Sequence, residues 1–209
     1  MHSNDSTLPD NVDDLLLAAG YGDDEPGARL IIEHLSSPLA RRRVLALRAA
    51  TRRGITQDDQ WRRALHDPEV DVRREALTLI ADAEIGDALL SLVLATLDDP
   101  DSLVVDGAVF ALGEHLFAPA VDQLIGVATH HEDARCRESA IAALGALGDD
   151  RARPAILSAL DDKPAVRRRA IVALANFEGP DIVAALERAS GDRDWQVRAA
   201  VDQLGRGEE

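Results

Sequence analysis

The chain has 209 residues and a formal net charge of −15, so its average field repels nucleic acid and anionic membranes. Apolar residues make up 46% of it but aromatic residues only 3%, and Ala, Leu and Val fill the difference, a mix that favours closely spaced helices. No run of 18 uncharged apolar residues exists, which argues against a membrane-spanning helix, and the sole cysteine, Cys136, excludes an internal disulfide.

In chain order, residues 1–8 are polar and are expected to be disordered. The stretch from Met1 to Asp10 has neither the basic nor the apolar region of a secretory signal, so a cytoplasmic location is expected. Pro9 opens a helix whose residues Val12, Leu15 and Leu16 would seal the N-terminal end of the helical array. One domain is expected over 9–205, with 206–209 frayed.

From Pro26 onward one pattern recurs. His66-Asp67-Pro68-Glu69-Val70-Asp71-Val72-Arg73, Glu132-Asp133-Ala134-Arg135-Cys136-Arg137, Asp162-Lys163-Pro164-Ala165-Val166-Arg167 and Asp192-Arg193-Asp194-Trp195-Gln196-Val197-Arg198 each read as a polar turn, an apolar residue and Arg. An Ala/Leu/Ile stripe at helical spacing follows in each case. Arg42, Arg73, Val105, Arg137, Arg167 and Arg198 stand 30 to 32 residues apart, which gives six copies. Each copy predicts two helices. First helices carry stripes such as Val121, Leu124, Ile125 and Ala128, and second helices carry Ala76, Leu77, Ile80 or Ala140, Ile141, Leu144. No segment of useful length alternates with period two, so no strand is predicted. All nine prolines fall where a helix should begin, and Gly54, Gly148, Gly179 and Gly205 fall where second helices should end.

This turn-Val-Arg-x-x-Ala pattern resembles HEAT repeats, in particular the short phycobilisome-lyase type, over about residues 26–205. The resemblance implies an all-α, right-handed α-α superhelix of about six helix pairs behind one N-terminal capping helix. It also implies a ladder, in which an Asp six residues ahead bonds the repeated Arg. Asp67/Arg73, Asp161/Arg167 and Asp192/Arg198 have that spacing, whereas Asp99 precedes Val105 and breaks the third rung.

Some proteins of this type are enzymes. Deoxyhypusine hydroxylase is similar in fold and holds two irons on His-Glu dyads just after Val-Arg; the matching places here hold Arg74-Glu75, Glu138-Ser139 and Arg168-Arg169. HEAT-like DNA glycosylases use a basic groove with aromatic residues, but Trp61 and Trp195 lie more than four repeats apart. Bilin lyase and chaperone-type subunits share the repeat type most closely, yet nothing here marks a tetrapyrrole site. His130-His131-Glu132-Asp133 reads as a solvated turn, because it lacks the i, i+4 spacing of helix-borne metal ligands. Cys136 sits at a core-facing position and reads as an inert thiol. No catalytic residue, metal or cofactor is expected.

The expectation is therefore a scaffold that binds another protein on a concave face lined by second helices. The residue after each ladder position gives the row Arg43, Arg74, Asp106, Glu138 and Arg168; the fifth gives Leu47, Thr78, Phe110, Ala142 and Val172. Phe110 is the best anchor in it. Charge is segregated along the chain. Pro38 to Glu75 holds ten Arg against six acids, whereas Ala76 to Ala134 holds eleven acids and no Lys or Arg. A partner with complementary charge blocks would fit.

Overall fold

The computed structural model describes residues 9–205, the first three of them by backbone alone. The expected disordered stretch 1–8 and frayed tail 206–209 lie outside the described residues. Among the described residues regular structure is entirely helical, and the chain groups into two compact units, Met1–Leu92 and Val93–Glu209.

The first unit contains α1 (Pro9–Ala19), α2 (Glu25–His34), α3 (Ala40–Arg52), α4 (Asp58–Leu65) and α5 (Val70–Ala81), and its boundary falls within α6 (Asp87–Ala95). Here α1 and α2 both lie against α3, α3 against α5, and α4 against α5. The capping helix is present: Leu16 is buried with Ile31, Ala46, Ala49 and Ala50, and Val12 packs against that cluster. Leu15, in contrast, faces outward at 46% exposure.

The second unit contains α7 (Ser102–Glu114), α8 (Val121–His130), α9 (Ala134–Leu147), α10 (Arg153–Ser158), α11 (Pro164–Leu174), α12 (Pro180–Ala189) and α13 (Trp195–Gly205). The second helices α7, α9, α11 and α13 stand side by side, and α8, α10 and α12 back onto α9, α11 and α13. Two glycines set the spacing of that row. A Cβ on Gly113 would lie 2.9 Å from the Ala143 side chain, and one on Gly145 would lie 2.6 Å from the Ala173 side chain and 2.8 Å from its backbone. Those distances are shorter than carbon–carbon contact, so glycine is what lets α7, α9 and α11 approach this closely.

Helix starts follow the proline pattern with one refinement. Pro164 and Pro180 are the first residues of α11 and α12, and Pro26 and Pro154 lie in the first turns of α2 and α10. Pro38, Pro68 and Pro100 instead occupy the turn, two residues before α3, α5 and α7. The polar residue ahead of each braces that turn. Ser37 Oγ accepts from Leu39 N at 3.3 Å, Asp67 Oδ1 from Glu69 N at 2.9 Å and Asp99 Oδ1 from Asp101 N at 2.9 Å. At helix ends, Gly54 and Gly148 adopt φ of +65° and +62°, as C-terminal glycines do. Gly179 departs from that expectation: with φ +145° it precedes α12 instead of closing α11. Leu116 occupies the same turn after α7 that Gly54 occupies after α3, at φ +46°. In both turns the following N–H reaches back five residues, Ile55 to Ala50 and Phe117 to Leu112, each at 3.0 Å.

Candidate functional site

The repeated arginines join one repeat to the next. Arg167 Nη1 donates to the Asp162 carbonyl at 2.8 Å, while its Nε and Nη2 take both carboxylate oxygens of Asp192 at 2.9 and 2.8 Å. Arg137 repeats this with the His131 carbonyl and with Asp162, whose oxygens lie 2.7 Å from Nε and Nη2. Arg43 repeats it with the Ser37 carbonyl and with Asp67, at 2.7 and 2.6 Å. The bidentate partner is thus the turn aspartate of the following repeat, 24 or 25 residues ahead. The planar fork of Arg matches a carboxylate in just this way. Arg167 is 4% exposed, and its hydrogen bonds hold the Asp192 carboxyl below the usual carboxylate range, as Arg137 does for Asp162.

This corrects the ladder implied by the resemblance. Within a repeat, Arg73 meets Asp67 through the carbonyl oxygen at 2.8 Å, and Arg198 meets Asp192 likewise at 2.7 Å. Asp161 lies in a short 3₁₀ turn, and its neighbour Asp162 is the ladder residue. Arg43 is a ladder residue as well, not a member of the partner-facing row. The N-terminal register is therefore shifted by one, and Leu47 is core at 1% exposure. Arg42 reaches back to Asp13 of α1 at 3.1 Å. Val105 is buried where an Arg would stand, and His131, where an Asp would stand, uses Nδ1 to accept from Asp133 N at 3.1 Å.

The remaining row residues lie on the outward face of the second helices. In the first unit Arg74 and Thr78 of α5 line a groove of about 510 Å³ with Arg41, Val44 and Arg48 of α3. Each arginine there has a carboxylate beside it, with Asp13 shared between Arg41 and Arg42. Arg48 takes both oxygens of Glu75 at 2.6 Å, Arg74 lies 3.8 Å from Asp71, and Arg41 lies 3.1 Å from Asp13. Nearby, Arg52 stacks 4.2 Å above the Tyr21 ring, and Arg53 donates to the Ala19 and Asp24 carbonyls. The basic block of the sequence is thus largely consumed by contacts within its own unit.

In the second unit Phe110 of α7 is 54% exposed. It lines a groove of about 310 Å³ with Glu114, with Glu138, Ser139 and Ala142 of α9, and with Arg169 of α11. Asp106, one turn before Phe110, accepts from Ser139 Oγ at 2.6 Å. Among the described residues neither Asp106 nor Glu114 has a salt-bridge partner, and Glu138 lies 3.6 Å from Arg169. Arg168 is in the next groove, beside Val172 and the exposed Trp195, and donates to Gln196 Oε1 at 2.9 Å. Glu114, Arg169 and Trp195 were not in the sequence-derived row; extending its spacing by one more turn from Phe110 reaches Glu114.

Candidate chemistry elsewhere is accounted for by structure. Cys136 is buried, its Sγ lies 3.2 Å from the Ser102 carbonyl, and burial pushes the thiol up to about 11, away from the nucleophilic thiolate. His34 and His66 each bond a carbonyl four residues back near the ends of α2 and α4. Among the described residues no three His, Cys, Asp or Glu side chains gather as metal ligands would, and no helix is long and apolar enough to cross a membrane.

Solved structures share this arrangement at low sequence identity. YibA of Escherichia coli matches with a TM-score of 0.64 and 15% identity, over 96% of this chain and 75% of its own. The complex of CpcE and CpcF of phycocyanin lyase from a Nostoc species matches with 0.60 and 20%, over 96% and 79%. A designed armadillo repeat protein in complex with the peptide (KR)4 matches with 0.59 and 16%, over 93% and 98%. These likenesses show the fold alone. No curated protein matches the chain. The family model for HEAT repeats matches residues 91–165 and 153–204, together more than half of the chain. On that match the chain belongs to the HEAT repeat family.

Proposed function

We propose that this chain is a non-catalytic scaffold that holds another protein on the outward face of its second helices. The observation that carries this reading is Phe110, a large apolar side chain left 54% exposed within a groove rather than placed in the core. Exposed aromatic residues in grooves act as binding anchors, because their burial supplies much of the free energy of association. Arg74, Asp106, Glu138 and Arg168 stand on the same face of their helices and would set specificity and encounter rate. Repeat arrays of this kind present such faces to peptides and proteins. Two similar folds were solved in that setting, one bound to a peptide and one as a CpcE–CpcF complex.

A pull-down from native lysate with the wild-type chain and with Phe110→Glu tests the reading. A protein retained by the first and lost by the second is expected. Equal retention by both, or none by either, would overturn it. A second reading, a lyase- or chaperone-type subunit, is favoured only by the fold likeness to CpcE and CpcF. It requires a coloured complex on addition of a tetrapyrrole.

A further inference from the structure

If the chain is a scaffold anchored at Phe110, the lining of that groove specifies the chemistry of its partner. Asp106, Phe110 and Glu114 occupy positions i, i+4 and i+8 of α7, so they form one stripe: carboxylate, phenyl, carboxylate. Successive members stand about 6 Å apart along the helix axis. Glu138 of α9 adds a third carboxylate on the facing wall, and Arg169 is the one cation in the lining. The lining itself carries two acids, Glu114 and Glu138, against one base, and Asp106 stands one turn beyond it, bonded to the lining residue Ser139. Among the described residues neither Asp106 nor Glu114 has a salt bridge, and the cation felt near Asp106 is Arg135, which Asp133 already engages. The floor is made of Gly113, Ala142, Ala143 and Ala146, which leaves room above it and adds no competing polar group.

We propose that this groove binds an extended, basic segment of another protein, with Lys or Arg flanking one apolar residue in the pattern basic-x-apolar-x-basic. The proposal rests on the scaffold reading and deepens it. Charge complementarity fixes the sign of the partner. Spacing fixes its form. Alternate side chains of an extended chain fall on one side about 6.6 Å apart, close to the 6 Å step of the acid–phenyl–acid stripe. A groove of about 310 Å³ accommodates a few side chains, whereas a helix brings a cylinder 10–12 Å across. The apolar residue packs on Phe110 and the two cations meet Asp106 and Glu114, with Glu138 beside the first.

The test uses the full chain and a fluorescein-labelled peptide, Ser-Arg-Ser-Leu-Ser-Arg-Ser, read by fluorescence anisotropy. Binding is expected to weaken at least tenfold for Glu114→Lys and for Phe110→Ala, and to weaken as salt is raised. Glu187→Lys, on an exposed part of α12, makes the same change in net charge and should leave affinity unchanged. Circular dichroism of each variant separates loss of binding from loss of folding. No binding, equal binding of the peptide with Glu in place of Arg, or an equal loss with Glu187→Lys would overturn the proposal. So would preference for a helix-forming peptide carrying Arg, Leu and Arg at i, i+4 and i+8. Each of these results leaves the scaffold reading intact, because that reading stands or falls on capture of a partner that depends on Phe110.

Discussion

Two grooves of similar construction lie on second helices, one in each unit, and they handle charge in opposite ways. Between α3 and α5 the sequence is rich in arginine, yet Arg41, Arg48 and Arg74 each face a carboxylate of their own unit. Around Phe110 the sequence has fewer charges, but two carboxylates, Asp106 and Glu114, have no salt bridge among the described residues. Local charge density alone is therefore a poor guide to a binding face. What matters is the charge left over after a unit has paired its own groups. The block that looked most suited to anions is largely satisfied, and the acidic stretch is the one with something left to bind.

The largest effect that would sharpen the contrast between the units comes from the ladder. Arg167→Ala would leave Asp192 half-buried without its fork, at a cost of about 3–5 kcal/mol. Urea unfolding followed by a probe in each unit should show the second unit melting first. If both probes move together, the units unfold as one and the comparison dissolves. Next, Gly145→Ala should cost about 1–3 kcal/mol, because its methyl group would sit 2.6 Å from Ala173 and push α9 and α11 apart. Thermal unfolding of the variant measures this.

Acid should act on the second unit through Asp162 and Asp192. Both carboxyls are held below their ordinary value of 3.8 by Arg137 and Arg167. A lowered folded-state value means stability is present above 3.8 and is lost as pH falls below it. A pH series of denaturation midpoints should decline there, and Asp192→Asn should flatten part of the decline. A smaller change tests the groove of the first unit. Arg48→Ala costs about 0.5–1 kcal/mol as an exposed pair, but it frees Glu75. That groove should then gain affinity for the basic peptide. The smallest effects concern the matched turns. Gly54→Ala forces a side chain into φ +65° and should cost about 1 kcal/mol, while Leu116→Gly, which relieves that conformation but adds freedom to the unfolded chain, should change midpoints by less than about 0.5 kcal/mol.

Much of this architecture was legible in the sequence, for identifiable reasons. Helix pairing was readable because Ala and Leu recur at helical spacing and because proline marks the helix starts. Register failed in two places, both where like residues stand in a row. Arg41-Arg42-Arg43 offers three candidates for one rung, and Asp161-Asp162 offers two; only the turn geometry chooses Arg43 and Asp162. Pairing across repeats was not legible, because the partners are 24 to 29 residues apart and no local pattern records them. Phe110 could be placed on the outward face because its neighbours Val109 and Ala111 continue the buried stripe. Its unpaired acidic flanks could not be read before the surrounding arginines were placed.

The missing rung at Val105 bears on how this array could be lengthened by protein engineering. Wherever an arginine grips the turn of the next repeat, splicing in a new module severs a half-buried ionic clasp and obliges the insert to supply both halves. Between α7 and α8 the joint has Val105 in place of the arginine and His131 in place of the aspartate, and the His131 ring bonds Asp133 of its own turn. An extra repeat could be introduced there without breaking a single clasp, so the array carries its own insertion point.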